Sequence, residues 1–146
     1  EQGAPKWSVE SLIKDYAQFS KEAFTSPWYH KLLGVNGIVG SLYLSQWFDN
    51  LITQRFRGYQ MSDLLVNFVM PCYDLLENNA FFFYSRQFSN HPSRNFWVGD
   101  VVAACTAAPV FFNPVEVCSI DGTRTAQAID TGIYMDNPTL INITIY

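Results

Sequence analysis

The sequence predicts an α/β fold in which helices come first and β-hairpins follow, built as one domain over residues 1–146. Two observations carry this. Apolar side chains recur at three- and four-residue spacing through two N-terminal stretches, the pattern of helices that bury one face. Further along, β-branched and aromatic runs alternate with Asn-, Asp- and Gly-containing turns, the pattern of hairpins.

The first helix is expected over "WSVESLIKDYAQFSKEAF". Val9, Leu12, Ile13, Tyr16, Phe19, Ala23 and Phe24 form its stripe, Ser8 is its N-cap, and Trp7 is placed to staple onto Leu12. "TSPWYHKLLGVNGIVG" carries Pro27, Gly34, Asn36, Gly37 and Gly40 and is expected to be a loop bearing Trp28 and Tyr29. A second helix follows over "SLYLSQWFDNLITQRF", with Leu44, Trp47, Phe48, Leu51, Ile52 and Phe56 on one side and Gly58 closing it.

"MSDLLVNFVMPCYDL" has the continuous apolar character of a buried strand, although Pro71 argues against pairing at its end. A turn around Glu77, Asn78 and Asn79 returns the chain into the aromatic strand "AFFFYSRQ". "SNHPSRN" is a loop, and "FWVGDVVAACTAA" is a short helix of small side chains that ends before Pro109. Asp121-Gly122, between two β-capable stretches, predicts a hairpin with a type I′ turn, and its second strand delivers Asp130 to the strand end. In "DNPTLINITIY", Asp136 or Asn137 can cap a helix whose first residue is Pro138, although the β-branched tail also suits a strand.

Composition narrows the function. Hydrophobic residues make up 49% and aromatic residues 16%, while charged residues are only 15%, against about 25% in typical domains. An aromatic core, or an apolar face kept for a partner, a lipid or another part of the protein, would account for this. A net charge of -4, with no basic cluster beyond Arg55 and Arg57, excludes a nucleic-acid footprint. No apolar run reaches the length of a membrane span, and residues 1–10 have no signal-peptide pattern. Contact with a membrane surface therefore needs no transmembrane span, and a cytoplasmic or membrane-peripheral location is the expectation. Cys72, Cys105 and Cys118 lie far apart in apolar contexts and read as buried reduced thiols.

Motifs for nucleotide binding, metalloprotease chemistry and thiol redox chemistry are absent, as is a G-x-S-x-G elbow. His30 and His91 fall in loops without a nucleophile partner. Asp121 is engaged by its turn and Asp136 by a cap, so no metal site or cofactor is expected. By residue type alone Asp130 reads as an Asx turn that ends a strand, and Thr106 to Pro109 reads as a helix end packed on the sheet.

"ACTAAPVFFNP" (104–114), a hairpin, and "IDTGIYMDNP" (129–138) follow one another in the order and spacing of the second half of the patatin-like phospholipase domain. That family carries a T/S-S-A-A-P-x-x-F-x-P stretch, a strand pair, D-G-G/A and then N-N-P. Upstream, Pro5 to Phe24 is similar to the family's helix after its nucleophile region, and Asp74 in "VMPCYDLLENNAFFFYSRQ" stands at its T-D position.

The resemblance implies a layered α/β sandwich whose central sheet is only partly present here, and lipid acyl ester hydrolysis by a serine-aspartate dyad. It makes Asp130 the general base, with Gly132, Pro109 and Asn137 shaping the substrate site. In the family the elbow serine and the glycine-rich oxyanion loop precede the region matched here, so a missing N-terminal segment or a complementary chain would supply them. The substrate would be a lipid or another acyl ester, and this chain alone would be inactive. Asp130-Thr131-Gly132 departs from D-G-G by putting a β-branched residue where glycine is expected. A non-catalytic lipid- or protein-binding pseudoenzyme is the alternative, and a structural oligomer a third reading.

Overall fold

The computed structural model describes residues 8–23, 52, 54–84, 91–135, 137 and 139. Its element order is helix α1 (Val9–Ala23), strands β1 (Val69–Asp74) and β2 (Asn79–Tyr84), helix α2 (Val98–Thr106), and strands β3 (Val115–Cys118) and β4 (Thr125–Ile129). The strands form one antiparallel sheet in the order β2-β1-β4-β3. Helices together with an open four-stranded sheet, α2 packed on its face, are the α/β architecture expected from the sequence.

Ser8 caps α1 as its residue type predicts. Its Oγ accepts the N–H of Ser11 at 3.2 Å and its carbonyl accepts that of Leu12 at 3.0 Å. Glu10 in the first turn and Lys21 in the last complement the helix dipole. The described part of the apolar stripe is not buried, however: Val9, Ile13 and Tyr16 are each about two-thirds exposed or more, at 68%, 65% and 73%. With Leu12, Phe56 and Val102 they line an open groove of about 550 Å³. Trp7 and its expected staple lie outside the described residues, as do the expected loop with Trp28, Tyr29 and His30 and most of the second helix. Of that helix, Ile52 and residues 54–56 are helical, Ile52 is buried, and Gly58 ends the segment at φ +81°. A left-handed residue at this position is where glycine costs nothing.

The strand expected over residues 61–75 is shorter than its composition suggests. Met61–Asp63 is a 3₁₀ turn, because polar side chains engage the backbone before a strand can. The Asp63 carboxylate accepts the Gln60 N–H at 2.8 Å, and the Asn95 carboxamide donates to Gln60 Oε1 at 2.8 Å while accepting the Ser62 N–H at 3.2 Å. Pairing begins only at Val69 and then runs through Pro71, which lies opposite Phe82. Proline is tolerated because β4 pairs β1 only at Tyr73 and Asp74, so Pro71 sits where one side of the strand is an edge. Residues 75–78 connect β1 to β2, and Asn78 adopts φ 50°, which asparagine tolerates better than most residues.

The Asp121-Gly122 hairpin forms, but not with a type I′ turn. Cys118 pairs with Thr125, leaving residues 119–124 as the connection. Only Gly122 in it has positive φ, at 72°, whereas type I′ requires two such residues. The Asp121 carboxylate instead accepts the Ser119 hydroxyl at 2.7 Å and the Thr123 N–H and hydroxyl at 3.1 and 2.8 Å. These bonds hold its carboxyl below the usual aspartate range. Local hydrogen bonding has selected a wider loop.

The core lies between α2 and one face of the sheet. Phe81, Phe83 and Phe96 meet edge to face, with Phe83 4.8 Å from Phe81 and 5.1 Å from Phe96 between ring centres. Val98, Val101 and Ala104 of α2 pack on this cluster with Val117, Ala126 and Ala128 of the sheet. Small side chains let α2 approach the strands closely, and Ala104, Ala107 and Ala128 are wholly buried. Part of the aromatic excess is thus an aromatic core. Of the cysteines, Cys72 is buried and Cys105 half-buried, but Cys118 is exposed on edge strand β3, where alternate residues face outward.

Candidate functional site

Strand β4 ends at Ile129 and the chain turns at once. Asp130, in extended conformation, heads a 3₁₀ turn over Thr131–Ile133, and its Oδ1 accepts the Gly132 N–H at 3.0 Å. This is an Asx turn, as the residue type suggested. Asp130 Oδ2 makes no hydrogen bond among the described residues. One oxygen therefore fixes the carboxylate, and the other has no partner among the described residues.

Three elements position the turn. The Asp130 N–H donates to the Ala107 carbonyl at 3.0 Å, tying the end of β4 to the end of α2. Tyr134 and Met135 both donate their N–H to the Thr131 carbonyl, at 2.8 and 2.7 Å, closing the turn on itself. The Tyr134 hydroxyl donates to the Cys72 carbonyl at 2.9 Å, reaching β1.

Asp130, Thr131 and Gly132 form one wall of a pocket of about 410 Å³, whose other walls are Val69, Met70 and Pro71 of β1, Cys105 of α2, and Met135. A carboxylate held by one oxygen in a cleft of mixed polar and apolar walls can orient and accept a proton from a group presented in that cleft. Cys105 offers no nucleophile: burial, the neighbouring Cys72 and Asp130 together push its thiol well above the usual range. No cluster of metal-ligating side chains occurs among the described residues.

The sequence-derived site residues separate into two sets. Asp130 and Gly132 are brought together by a direct hydrogen bond. Pro109 and Asn137 do not line the pocket. Pro109 lies in the turn Ala108–Phe111, closed by the Phe111 N–H on the Ala108 carbonyl at 3.2 Å, next to the Ala107 anchor. Asn137 accepts the Thr139 N–H at 3.0 Å, the N-cap bond expected of it, while Asp136 and Pro138 lie outside the described residues.

Thr131 is buried, begins the 3₁₀ turn, and is not among the positive-φ residues. The backbone here does not require glycine, so a β-branched residue fits without strain. Cys105, Met135, Pro71 and Tyr134 were not legible as site residues. Only the small-residue character of α2, which brings Cys105 close to the sheet, gave any signal.

Asp74 is also a structural carboxylate. It is 2% exposed, and its Oδ1 accepts the Leu76 N–H at 2.9 Å and the Gln127 N–H at 3.1 Å. It locks the far end of the β1–β4 ladder from the Asp130 turn.

Comparison with known proteins agrees with this architecture. Residues 5–143 match the family model described as patatin-like phospholipase. The chain is 37% identical over 149 aligned residues to "Probable inactive patatin-like protein 9" of Arabidopsis thaliana, an alignment covering 97% of this chain and 37% of that protein. It is 32% identical to "Patatin-like protein 6" of the same plant, over 66% of this chain and 19% of the relative, and 25% identical to "Patatin-like protein 1", over 99% and 36%. The alignments thus span between 19% and 37% of the length of these relatives. With its helices, antiparallel sheet and strand-end aspartate in that setting, the chain belongs to the patatin-like phospholipase family.

Proposed function

We propose that this chain supplies the general base of a lipid acyl ester hydrolase, with Asp130 taking the proton from a serine contributed by another part of the protein. The observation that carries the reading is the Asp130 carboxylate itself: its Oδ1 is held by the Gly132 N–H, and the residue lines a pocket with Val69, Met70, Pro71 and Met135. A serine hydroxyl is a weak nucleophile until a base removes its proton. A carboxylate can do so without an intervening imidazole if it lies within hydrogen-bond reach. The serine oxygen would attack the ester carbonyl and its proton would pass to Asp130. That proton would then leave with the departing alcohol, and water would release the acyl group by the same route. The apolar walls formed by Val69, Met70 and Met135 suit an acyl chain. Gly132 acts on the carboxylate directly, whereas Pro109 acts through the Ala107 anchor and Asn137 through the segment after the turn. The 146 residues form one domain with whatever part carries the serine.

The test is ester hydrolysis by the complete protein with Asp130→Asn. The asparagine oxygen can still accept the Gly132 N–H, so the turn is kept while the base is lost. Hydrolysis is expected to fall by about a thousand-fold. Activity surviving in the variant would overturn the assignment.

The second reading, a pseudoenzyme that binds lipid or protein, is favoured by one observation: a relative 37% identical to this chain is named "Probable inactive patatin-like protein 9". It requires that the complete protein lack an elbow serine and hydrolyse no ester while still binding an acyl ligand.

A further inference from the structure

Antiparallel pairing of β1 with β4 sets Tyr73 opposite Ile129 and Asp74 opposite Ala128. One further step would set Cys72 opposite Asp130, a position that carries no rung, because the Leu75 N–H bonds the Gln127 carbonyl at 2.8 Å and rungs fall on alternate residues; the Asp130 N–H points to the Ala107 carbonyl. The Cys72 carbonyl accepts the Tyr134 hydroxyl at 2.9 Å, four residues beyond Asp130. Among the described residues this is the one hydrogen bond between residues 131–135 and β1. The Tyr134 ring also meets the Tyr73 ring edge to face, with centres 5.9 Å apart, which sets the direction of the hydroxyl.

From this geometry we propose that Tyr134 is a positioning residue: its hydroxyl ties the turn to β1 beyond the end of the β1–β4 ladder and so fixes the turn that presents the Asp130 carboxylate. The turn is then held from two sides, by Ala107 of α2 at its start and by Cys72 of β1 at its end. With both anchors in place, Gly132 keeps its N–H on Oδ1, and the carboxylate keeps a constant orientation in the pocket wall. With the second anchor released, the turn pivots on Ala107 and the carboxylate loses its aim. Burial, with Cys72, Cys105 and Tyr73 nearby, raises the Tyr134 hydroxyl to about 12. The anchor therefore remains a donor throughout the range in which a carboxylate base works. A displacement of about 1 Å at a catalytic group is enough to lower turnover by orders of magnitude.

This inference rests on the reading of Asp130 as general base, and two readouts on the complete protein separate the two. The first is hydrogen exchange in peptides covering residues 128–135 and, as reference, residues 79–84. Tyr134→Phe removes only the hydroxyl, and exchange is expected to accelerate about ten-fold in the first peptide and not in the second. Tyr73→Phe is the control, since its hydroxyl bonds Asn78 in the β1–β2 connection at 2.8 Å and not the turn. Unchanged exchange at 128–135 in Tyr134→Phe overturns the proposal whatever the activity.

The second readout is kinetic. Where Asp130→Asn abolishes hydrolysis, Tyr134→Phe is expected to lower kcat about ten-fold with KM unchanged, and Tyr73→Phe to leave both as they are. Faster exchange with unaltered kcat would make the anchor merely structural and overturn the proposal. Hydrolysis that survives Asp130→Asn counts against the base assignment alone, leaving exchange at 128–135 to decide the anchor.

Discussion

The carboxylate of Asp74, buried at the end of β1, accepts the main-chain N–H of Gln127 in β4 at 3.1 Å and that of Leu76 in the following turn at 2.9 Å. One side chain thus closes the β1–β4 ladder and starts the β1–β2 connection. Asp74→Ala leaves both donors without their partner, at a cost of about 2–3 kcal/mol, whereas Asp74→Asn keeps an accepting oxygen and costs about 1 kcal/mol. Urea unfolding distinguishes the two by their midpoints at equal slope. Equal midpoints for the two variants would mean that these hydrogen bonds contribute nothing.

Val110 stores strain next to the site. It is the third residue of the Ala108–Phe111 turn, follows Pro109, and adopts φ 74°, where a type II turn takes glycine. Its side chain is 54% exposed, so little burial offsets the strained backbone. Val110→Gly is expected to raise stability by about 1 kcal/mol, the lower end of the left-handed penalty for a residue with a Cβ. A lower melting temperature in the variant would show that the valine side chain contributes more than the backbone loses.

Alkaline pH is expected to destabilise the fold over a defined window. Burial, then the nearby Asp74, raises the Cys72 thiol from its ordinary 9.0 to about 12, and burial raises the Tyr134 hydroxyl from 10.0 to about 12. Both groups keep their protons longer when folded than when unfolded. Unfolding therefore releases protons between these values, and stability falls as pH rises. The stabilisation is complete below 9.0 and is lost as pH approaches about 12. Urea midpoints measured upward from neutral pH should decline first with the thiol, and Cys72→Ala should flatten that part of the curve. A profile unchanged by the substitution would assign the alkaline loss to other groups.

What the sequence made legible follows the range of the interactions concerned. Ser8 and Gly58 act on their own neighbours and do what their residue types predict, and the hairpin expected at Asp121-Gly122 forms. The type of the 119–124 connection was not legible, because three side-chain bonds converging on Asp121 outweigh the Asp-Gly preference. Long-range terms explain the other differences. Pro71 stands inside a strand because β4 turns away at Asp130, a fact of tertiary pairing that no local pattern carries. Motif order located Asp130 and Gly132, but not Cys105 or Tyr134, which reach the site from α2 and from the far side of the turn. The α1 stripe reads as a buried face by periodicity alone, yet it lines an open groove. Periodicity identifies a helix without identifying what covers it.

Gly99 tests the placement of the helical segment before Gly58. It lies in the first turn of α2, and a Cβ built there would meet Ile52 Cγ2 at 3.7 Å and Phe56 Cβ at 3.8 Å, ordinary packing distances. Glycine is therefore not required by space, and no positive φ demands it. Gly99→Ala should gain helix propensity and a small apolar contact, together about 0.5–1 kcal/mol, reduced from the interior value because the site is near the helix end. Thermal unfolding of the single variant measures it. A loss of stability would mean that Ile52 and Phe56 lie closer to α2 than these distances, since the only other consequence of the methyl group is favourable to the helix.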